Sequence, residues 1–319
     1  MISLIKAFFI LIRWPNLLML IFTQMLLNYL VIGHMFKLIN LELPMDPLDF
    51  NLLVLSTVFM AAFGYIFNDV MDEEVDQINK QEKKIIGTHF SRISALFAGY
   101  AFLVFSIGIS VYLGIKLQMI QLIFLHLLIA AGLWYYSTQL KKTVLTGNLI
   151  ISLFTGLSVF IVWLYHLVAL KNNPILLVDA QRITEFVTYT VVAYSIFAFL
   201  ISMIREITKD IEDKEGDEKA GMKTTIIKYG LSKTKIIIYF FFFLMLTLLG
   251  FTIYITYSYN WIQLSIYLLV AVGIPCLYFI MNLKTAVIKK DFRDLSFLAK
   301  IIMIAGILSM QLFYISYGT

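Results

Sequence analysis

The chain has 319 residues, of which 61% are hydrophobic and only 14% are charged, and its formal net charge is +5. A soluble domain carries about 25% charged residues, so this composition excludes an ordinary soluble globular protein. Apolar runs of about 20 residues recur along the chain, long enough to cross a bilayer, and they are continuous rather than alternating, which excludes a transmembrane β-barrel. The predicted fold class is therefore all-α, a polytopic transmembrane helical bundle.

The elements predicted in chain order are one interfacial helix and nine spans. Residues 1–14 have the pattern of an amphipathic interfacial helix, with no small-residue cleavage site, so we expect no removable signal peptide. Pro15 stands at a favoured first helical position, and Pro275 predicts a kink in the eighth span. The predicted spans are Pro15–Phe36, Phe50–Phe67, Ile93–Ile115, Leu117–Tyr136, Gly147–Leu170, Phe186–Ile204, Ile236–Tyr257, Trp261–Met281 and Phe297–Tyr317.

The positive charges are unevenly distributed between the two sides of this topology. Of the 25 Lys and Arg residues, all but Lys37, Lys116, Lys171 and Arg182 fall on the side of the N-terminus. By the positive-inside rule, we expect the N-terminus in the cytoplasm and the C-terminus outside. The net charge is thus explained by orientation signals, and it does not indicate a nucleic-acid partner. The single cysteine, Cys276, excludes an internal disulfide.

Two acidic segments follow the second and sixth predicted spans, in the predicted cytoplasmic loops 68–92 and 205–235. Each contains aspartates at positions i, i+3 and i+7, a spacing that places three carboxylates on one face of a helix. The two segments are four spans apart and so have the same orientation, which predicts two repeated four-helix units plus a ninth helix. The triads are Asp69, Asp72 and Asp76, then Asp210, Asp213 and Asp217.

A solvated charged loop is the simplest interpretation of either acidic segment alone. The repeated spacing and the equivalent positions favour a site in which the two triads face each other. Facing carboxylates about 4 Å apart repel by roughly 4 kcal/mol at an effective dielectric near 20, so they require cations. Mg²⁺ is commonly held by one or two carboxylates together with substrate phosphates. On an apolar bundle, this combination indicates a substrate with a diphosphate head and a lipid tail, and basic residues on the same side could contact the diphosphate.

These motifs resemble the two signature motifs of the UbiA superfamily of intramembrane prenyltransferases. The second segment is most similar to the branch that makes digeranylgeranylglyceryl phosphate, and the resemblance extends over essentially the whole chain. The residues that carry it are Asn68-x-x-x-Asp72-x-x-x-Asp76, Asp213-x-x-x-Asp217, Arg13-Trp14-Pro15-Asn16, Tyr136-Ser137-x-x-Leu140-Lys141, Gly147-Asn148, the run from Arg205 to Asp217 and Ala220-Gly221-x-Lys223-Thr224-Thr225.

The resemblance implies a single prenyltransferase domain over 1–319 that transfers an isoprenoid chain from an allylic diphosphate to a lipid-soluble acceptor, possibly geranylgeranylglyceryl phosphate. It implies Mg²⁺ as cofactor and catalytic roles for Asp72, Asp76, Asp213 and Asp217. The implied metal-binding residues are Asn68, Asp69, Asp72, Asp76, Asp210, Asp213 and Asp217. The implied substrate-binding residues are Arg13, Asn16, Asn68, Lys83, Lys84, Lys141, Asn148, Arg205, Lys209 and Lys223.

Two alternatives stay open from the sequence. The same fold could prenylate an aromatic acceptor, as in quinone or haem biosynthesis, because acceptor pockets are set by tertiary contacts. A divalent-cation transporter is an alternative of another class, although such proteins usually bury ionisable residues at mid-membrane. Within the spans, His126 and His166 are the candidates for such a role, but neither has a partner at metal-binding spacing, so we expect each to be packed or hydrogen-bonded.

Overall fold

The computed structural model describes residues 4–73 and 85–316. In these residues, nine helices are long and apolar enough to cross a membrane, which confirms the predicted helical bundle. We number them span 1 to span 9: Trp14–Leu38, Pro47–Met71, Arg92–Lys116, Gln121–Thr138, Thr146–Lys171, Gln181–Glu212, Thr225–Ser258, Ile262–Thr285 and Lys289–Ile315.

The short helix Leu4–Leu11 precedes span 1, and the chain turns between them at Arg13, which has a left-handed conformation with φ of 52°. Ala7 and Leu11 are buried, whereas Ile5 and Phe9 on the opposite side are exposed. An exposed apolar face next to the bundle is typical of a helix lying along a bilayer surface, as the sequence predicts.

Spans 2 and 6 are the central helices of the two halves. Span 2 packs against spans 1, 3 and 4, and span 6 packs against spans 5, 7 and 9. Both helices end at the middle aspartate of their acidic triad. Asp72 N–H donates to Asn68 O at 2.9 Å, and Asp213 N–H donates to Lys209 O at 2.8 Å. This equivalence of helix ends is the structural form of the repeat seen in the sequence, and we call this end of the bundle the acidic end.

Several spans differ from a plain α-helix. Span 6 continues well beyond its predicted end, so most of the predicted loop 205–235 is helical: residues up to Glu212, the short helix Lys214–Lys219, and the start of span 7. Span 7 is broken at Gly230, whose φ of 75° favours glycine. The irregularity in span 8 is a π-helical segment, Leu268–Gly273, directly before the helix that contains Pro275, rather than a simple proline kink.

Buried polar contacts join span 1 to span 5, across the two halves. Gln24 Nε2 donates to the carbonyl oxygen of Ser158 at 2.8 Å, and Gln24 Oε1 accepts from Thr57 Oγ1 at 2.8 Å. One helical turn further on, the His166 imidazole donates from Nε2 to Asn28 Oδ1 at 2.7 Å. Polar groups in an apolar interior need such partners, so these contacts fix how the halves face each other.

Spans 5 and 6 approach each other closely at Gly156. A Cβ atom added there would lie 2.8 Å from the backbone oxygen of Ser195 and 3.2 Å from Phe199 Cβ. Because a backbone atom cannot rotate away, we expect Gly156→Ala to destabilise the protein by about 1–3 kcal/mol. Thermal unfolding in detergent micelles measures this effect. Gly108→Ala is the matched control, since nothing lies within 4 Å of that position, and equal losses in both variants would contradict the close approach.

Candidate active site

A cavity of about 960 Å³ runs through the described part of the bundle. Every span except the third contributes to its lining, and its surface changes from charged at the acidic end to apolar and aromatic at the other end. Along span 6 the lining extends from Phe186 to Asp210, which corresponds to roughly 36 Å of helix. The cavity is thus long and largely apolar, and its polar mouth lies at the acidic end.

The two acidic segments meet at that mouth. Asn68 and Asp72 from span 2 and Asp210, Asp213 and Asp217 from the second segment all line the cavity. The prediction that each triad occupies one continuous helix face is wrong for the second segment. Span 6 ends at Asp213, and Asp217 lies on the following short helix, where it is buried. In the first segment span 2 ends at Asp72, and Asp76 lies outside the described residues.

A lysine and two asparagine side chains contact two of the acidic residues at the mouth, Asp72 and Asp210. Lys141 Nζ contacts Asp72 Oδ1, and the two side chains are only 11% and 14% exposed. Asn68 Nδ2 donates to the other carboxylate oxygen of Asp72 at 2.8 Å. Asn148, at the start of span 5, donates to Asp210 Oδ2 at 2.9 Å. The mouth is therefore built from side chains of spans 2, 5 and 6 and of the short turn that carries Lys141.

Asp69 has a different environment from the other aspartates. It is not part of the cavity lining, and its Oδ1 lies 2.5 Å from Arg13 Nη2. The Arg13 guanidinium group also lies 5.0 Å from the centroid of the Tyr65 ring. Asp69 thus holds Arg13, which lines the mouth, and a role for Asp69 in metal binding stays a prediction.

Burial and neighbouring charges change the pKa values of the two basic groups at the mouth in opposite directions. Burial lowers the pKa of the Lys141 ammonium group to about 8, against the opposing charge of Asp217. For Arg13, burial lowers the pKa, but Asp69 and Tyr65 outweigh it and the pKa is raised. Arg13 is therefore a fixed cation, whereas the charge on Lys141 depends on its carboxylate neighbours.

The donor set at the mouth fits Mg²⁺, which takes oxygen ligands and keeps open positions for substrate phosphates. Asn68 Oδ1 is buried and accepts no hydrogen bond from the described residues, although it lies beside the carboxylate of Asp72. Within the same part of the chain, no group of three His, Cys, Asp or Glu side chains is arranged to hold a metal ion by itself.

The predicted substrate-binding residues fall into three groups. Lys83 and Lys84 lie outside the described residues. Lys223 is exposed and does not line the cavity. Its backbone N–H donates to Lys142 O at 2.9 Å, and substrate binding by its side chain stays a prediction. The others all line the cavity: Arg13, Asn16, Asn68, Lys141, Asn148, Arg205 and Lys209.

A second charged group lies deeper in the cavity. The sequence predicts substrate binding by only two of its members, Arg205 and Lys209. Arg205 Nη1 lies 2.5 Å from Glu206 Oε1, and Lys209 Nζ lies 4.0 Å from Glu206 Oε2. Lys300, on span 9, lines the same part of the cavity. The sequence contained a signal for it, because Lys300 falls three residues inside the predicted ninth span, where a lysine is costly unless it has a function.

His126 and His166, the two histidines considered from the sequence, are packed in the interior, as predicted. His166 pairs with Asn28, and His126 Nδ1 lies 3.3 Å from Leu122 O. Both are buried. Neither belongs to a three-ligand metal cluster in the described chain.

These observations define a polytopic helical membrane protein with a lipid-sized cavity and an acidic, oxygen-rich mouth. The profile of the UbiA prenyltransferase family matches residues 13–303, and the chain belongs to this family.

Relatives and solved structures agree with this membership. The chain is 34% identical over 175 residues to digeranylgeranylglyceryl phosphate synthase of Saccharolobus solfataricus, which covers 55% of each chain. It is 28% identical over 256 residues to the synthase of that name from Sulfurisphaera tokodaii, covering 80% of each. The match thus spans about half the length of the first relative and most of the second.

Among solved structures, one described as digeranylgeranylglyceryl phosphate synthase in membranes has a TM-score of 0.61 and 22% identity, covering 97% of this chain and 99% of that one. A UbiA homologue from Archaeoglobus fulgidus bound to GPP and Mg²⁺ has a TM-score of 0.55 and 15% identity, covering 95% and 99%. At these identities, the structures show a shared fold.

Proposed function

We propose that this protein is a Mg²⁺-dependent prenyltransferase that transfers a geranylgeranyl chain from its diphosphate to the free hydroxyl of geranylgeranylglyceryl phosphate. One observation carries the proposal: the acid-bearing ends of spans 2 and 6 open onto the same mouth of one largely apolar cavity. The names of the relatives support the acceptor, and the solved homologue with bound GPP and Mg²⁺ supports a prenyl diphosphate as donor.

The residues at the mouth would bind the donor by its diphosphate. Asn68, Asp72, Asp213 and Asp217 would hold Mg²⁺, which when bound supplies charge to stabilise the leaving diphosphate. Asp76, beyond the described residues, belongs to the same proposed set, with Asp210 as a supporting residue through its contact with Asn148. Arg13, Asn16 and Lys141 line the mouth and would orient the diphosphate oxygen atoms.

The apolar part of the cavity would hold the prenyl chains and exclude water. In the transfer, the allylic C–O bond breaks and the diphosphate leaves with the electron pair. The acceptor oxygen then bonds to the allylic carbon and its hydroxyl proton is released. Exclusion of water prevents hydrolysis of the reactive allylic group, which explains why the aromatic and aliphatic lining continues up to the mouth.

The proposal predicts a defined product and a metal requirement. Purified protein with geranylgeranyl diphosphate, geranylgeranylglyceryl phosphate and Mg²⁺ should yield digeranylgeranylglyceryl phosphate, identified by mass. EDTA should abolish the reaction and added Mg²⁺ should restore it. Prenylation of an aromatic acceptor instead would support a prenyl diphosphate as the donor and refute geranylgeranylglyceryl phosphate as the acceptor. Metal uptake by sealed vesicles without lipid substrates would refute the enzyme proposal.

A further inference from the structure

We infer that Arg205, Lys209 and Lys300 form a second anion site, which binds the phosphate of the acceptor apart from the diphosphate of the donor. The inference rests on the proposed function and adds the position of the acceptor head group. Its starting point is a group of three cations inside a membrane bundle, where a charge is retained only with a partner or a function.

The packing of spans 6 and 9 brings these cations to one level. The two helices are antiparallel neighbours, and at the acidic end Arg293 Nε lies 3.3 Å from Glu212 Oε1. Seven residues further into the bundle, span 9 presents Lys300 and span 6 presents Arg205. Seven residues are close to two helical turns, or about 10 Å, so both side chains return to the facing sides of their helices.

The same counting separates this site from the mouth. Arg205 precedes Asp213, the end of span 6, by eight residues, which corresponds to about 12 Å of helix. Lys209 lies between them, and all three residues line the cavity. A donor diphosphate held at the aspartates would therefore leave the level of Arg205 and Lys300 free for a second head group.

The charges at this level do not cancel. Glu206 is the one acidic side chain in ion-pair contact with Arg205 and Lys209 among the described residues, and Lys300 makes no ion pair with any of them. Arg205 Nε is buried and has no hydrogen-bond acceptor in the described chain. Arg13 also lies within electrostatic range of Glu206 and Lys300, and Asp210 lies within range of Glu206 and Lys209. These four cations and two carboxylates leave two positive charges, and a phosphate monoester carries about −1.5 to −2 at neutral pH.

The chemistry of the acceptor fits this position. In a glycerol phosphate that bears one prenyl ether, the free hydroxyl is close to the phosphate along a three-carbon backbone. A phosphate fixed beside span 9 would hold that hydroxyl toward the mouth, where the allylic carbon of the donor must lie. Fixing two reactants in this way is a principal source of enzymatic rate enhancement.

The test is Lys300→Met, in the full-length protein in nanodiscs. We expect the KM for geranylgeranylglyceryl phosphate to rise at least tenfold, while the KM for geranylgeranyl diphosphate changes less than twofold. Lys300→Arg should restore most of the acceptor affinity because it keeps the charge. Lys290→Met is the matched control: Lys290 is exposed on the same helix and lies outside the cavity, so neither KM should change.

Equilibrium binding separates this inference from the proposed function. Without donor or Mg²⁺, radiolabelled geranylgeranylglyceryl phosphate should bind Lys300→Met at least tenfold more weakly than wild type, whereas the dephosphorylated lipid should bind both proteins equally. Unchanged acceptor binding, or a rise in the donor KM instead, would overturn the anion site even if the wild-type protein makes the expected product. If the variants bind the acceptor as expected but the wild-type protein makes no product, the proposed function is refuted and the second anion site is still supported.

Discussion

Replacement of Asp72 or Asp213 by asparagine should lower prenyl transfer at least about 1,000-fold, which corresponds to about 4 kcal/mol of lost transition-state stabilisation. The two residues end spans 2 and 6 at equivalent positions and line the same mouth. Asparagine keeps the size of each side chain but removes the charge that a Mg²⁺–diphosphate complex needs. Because the ends are equivalent, each single substitution should be sufficient.

The measurement is the initial rate with radiolabelled geranylgeranyl diphosphate at saturating Mg²⁺. Glu218→Gln is the matched control, since Glu218 is an exposed carboxylate next to Asp217 that does not line the cavity. We expect it to retain wild-type activity. Thermal unfolding should show that all three variants remain folded. Wild-type rates in either aspartate variant would disprove the role of the paired helix ends.

Replacement of Lys141 by methionine should lower kcat/KM for the donor about 100-fold, or about 2.7 kcal/mol. Lys141 is the buried cation of the mouth, in contact with Asp72 and within the field of Asp217. Its loss removes one positive charge facing the diphosphate and leaves the carboxylates less compensated. Retaining the hydrophobic stem as methionine limits the effect on packing.

Lys142→Met is the control for this variant, because Lys142 is adjacent in sequence but exposed and outside the cavity. Lys141→Arg should recover part of the lost activity. The effect should fall on the donor and not on the acceptor, which is the reverse of the expectation for Lys300→Met. An equal loss of kcat/KM in Lys141→Met and Lys142→Met would indicate a general charge effect and contradict a specific role for the contact between Lys141 and Asp72.

The nine spans and the position of the acidic segments are predictable from the sequence for a simple reason. Hydropathy indicates which segments lie in lipid, and the repeated aspartate spacing indicates which span ends are equivalent. The end of each helix is not encoded in the same way. Asp72 and Asp213 both have helix-ending backbone conformations, so the i, i+3, i+7 spacing could be read as one helix face although the helix stops inside it.

The partners of charged residues are the part that sequence spacing cannot supply. Asp69 and Asp72 belong to the same predicted triad, but Asp69 does not line the cavity and instead forms an ion pair with Arg13. The two paired residues are 56 positions apart in the chain. The sequence predicts substrate binding by Lys223 and not by Lys300, whereas the packing of span 9 on span 6 brings Lys300 into the cavity and Lys223 does not line it. Such pairings are decided by which helices touch, and hydropathy contains no information about neighbours.

The contacts between Gln24 and Ser158 and between Asn28 and His166 have a consequence for biogenesis. The partners are 134 and 138 residues apart. During synthesis, span 1 enters lipid long before span 5 emerges from the ribosome. At that stage Gln24 Nε2 and Asn28 Oδ1 lack their partners on span 5, and hydrocarbon offers no replacement. The first four helices alone therefore leave these polar groups of span 1 without their native partners. We expect the amino-terminal half to reach its native packing only after the fifth helix is inserted.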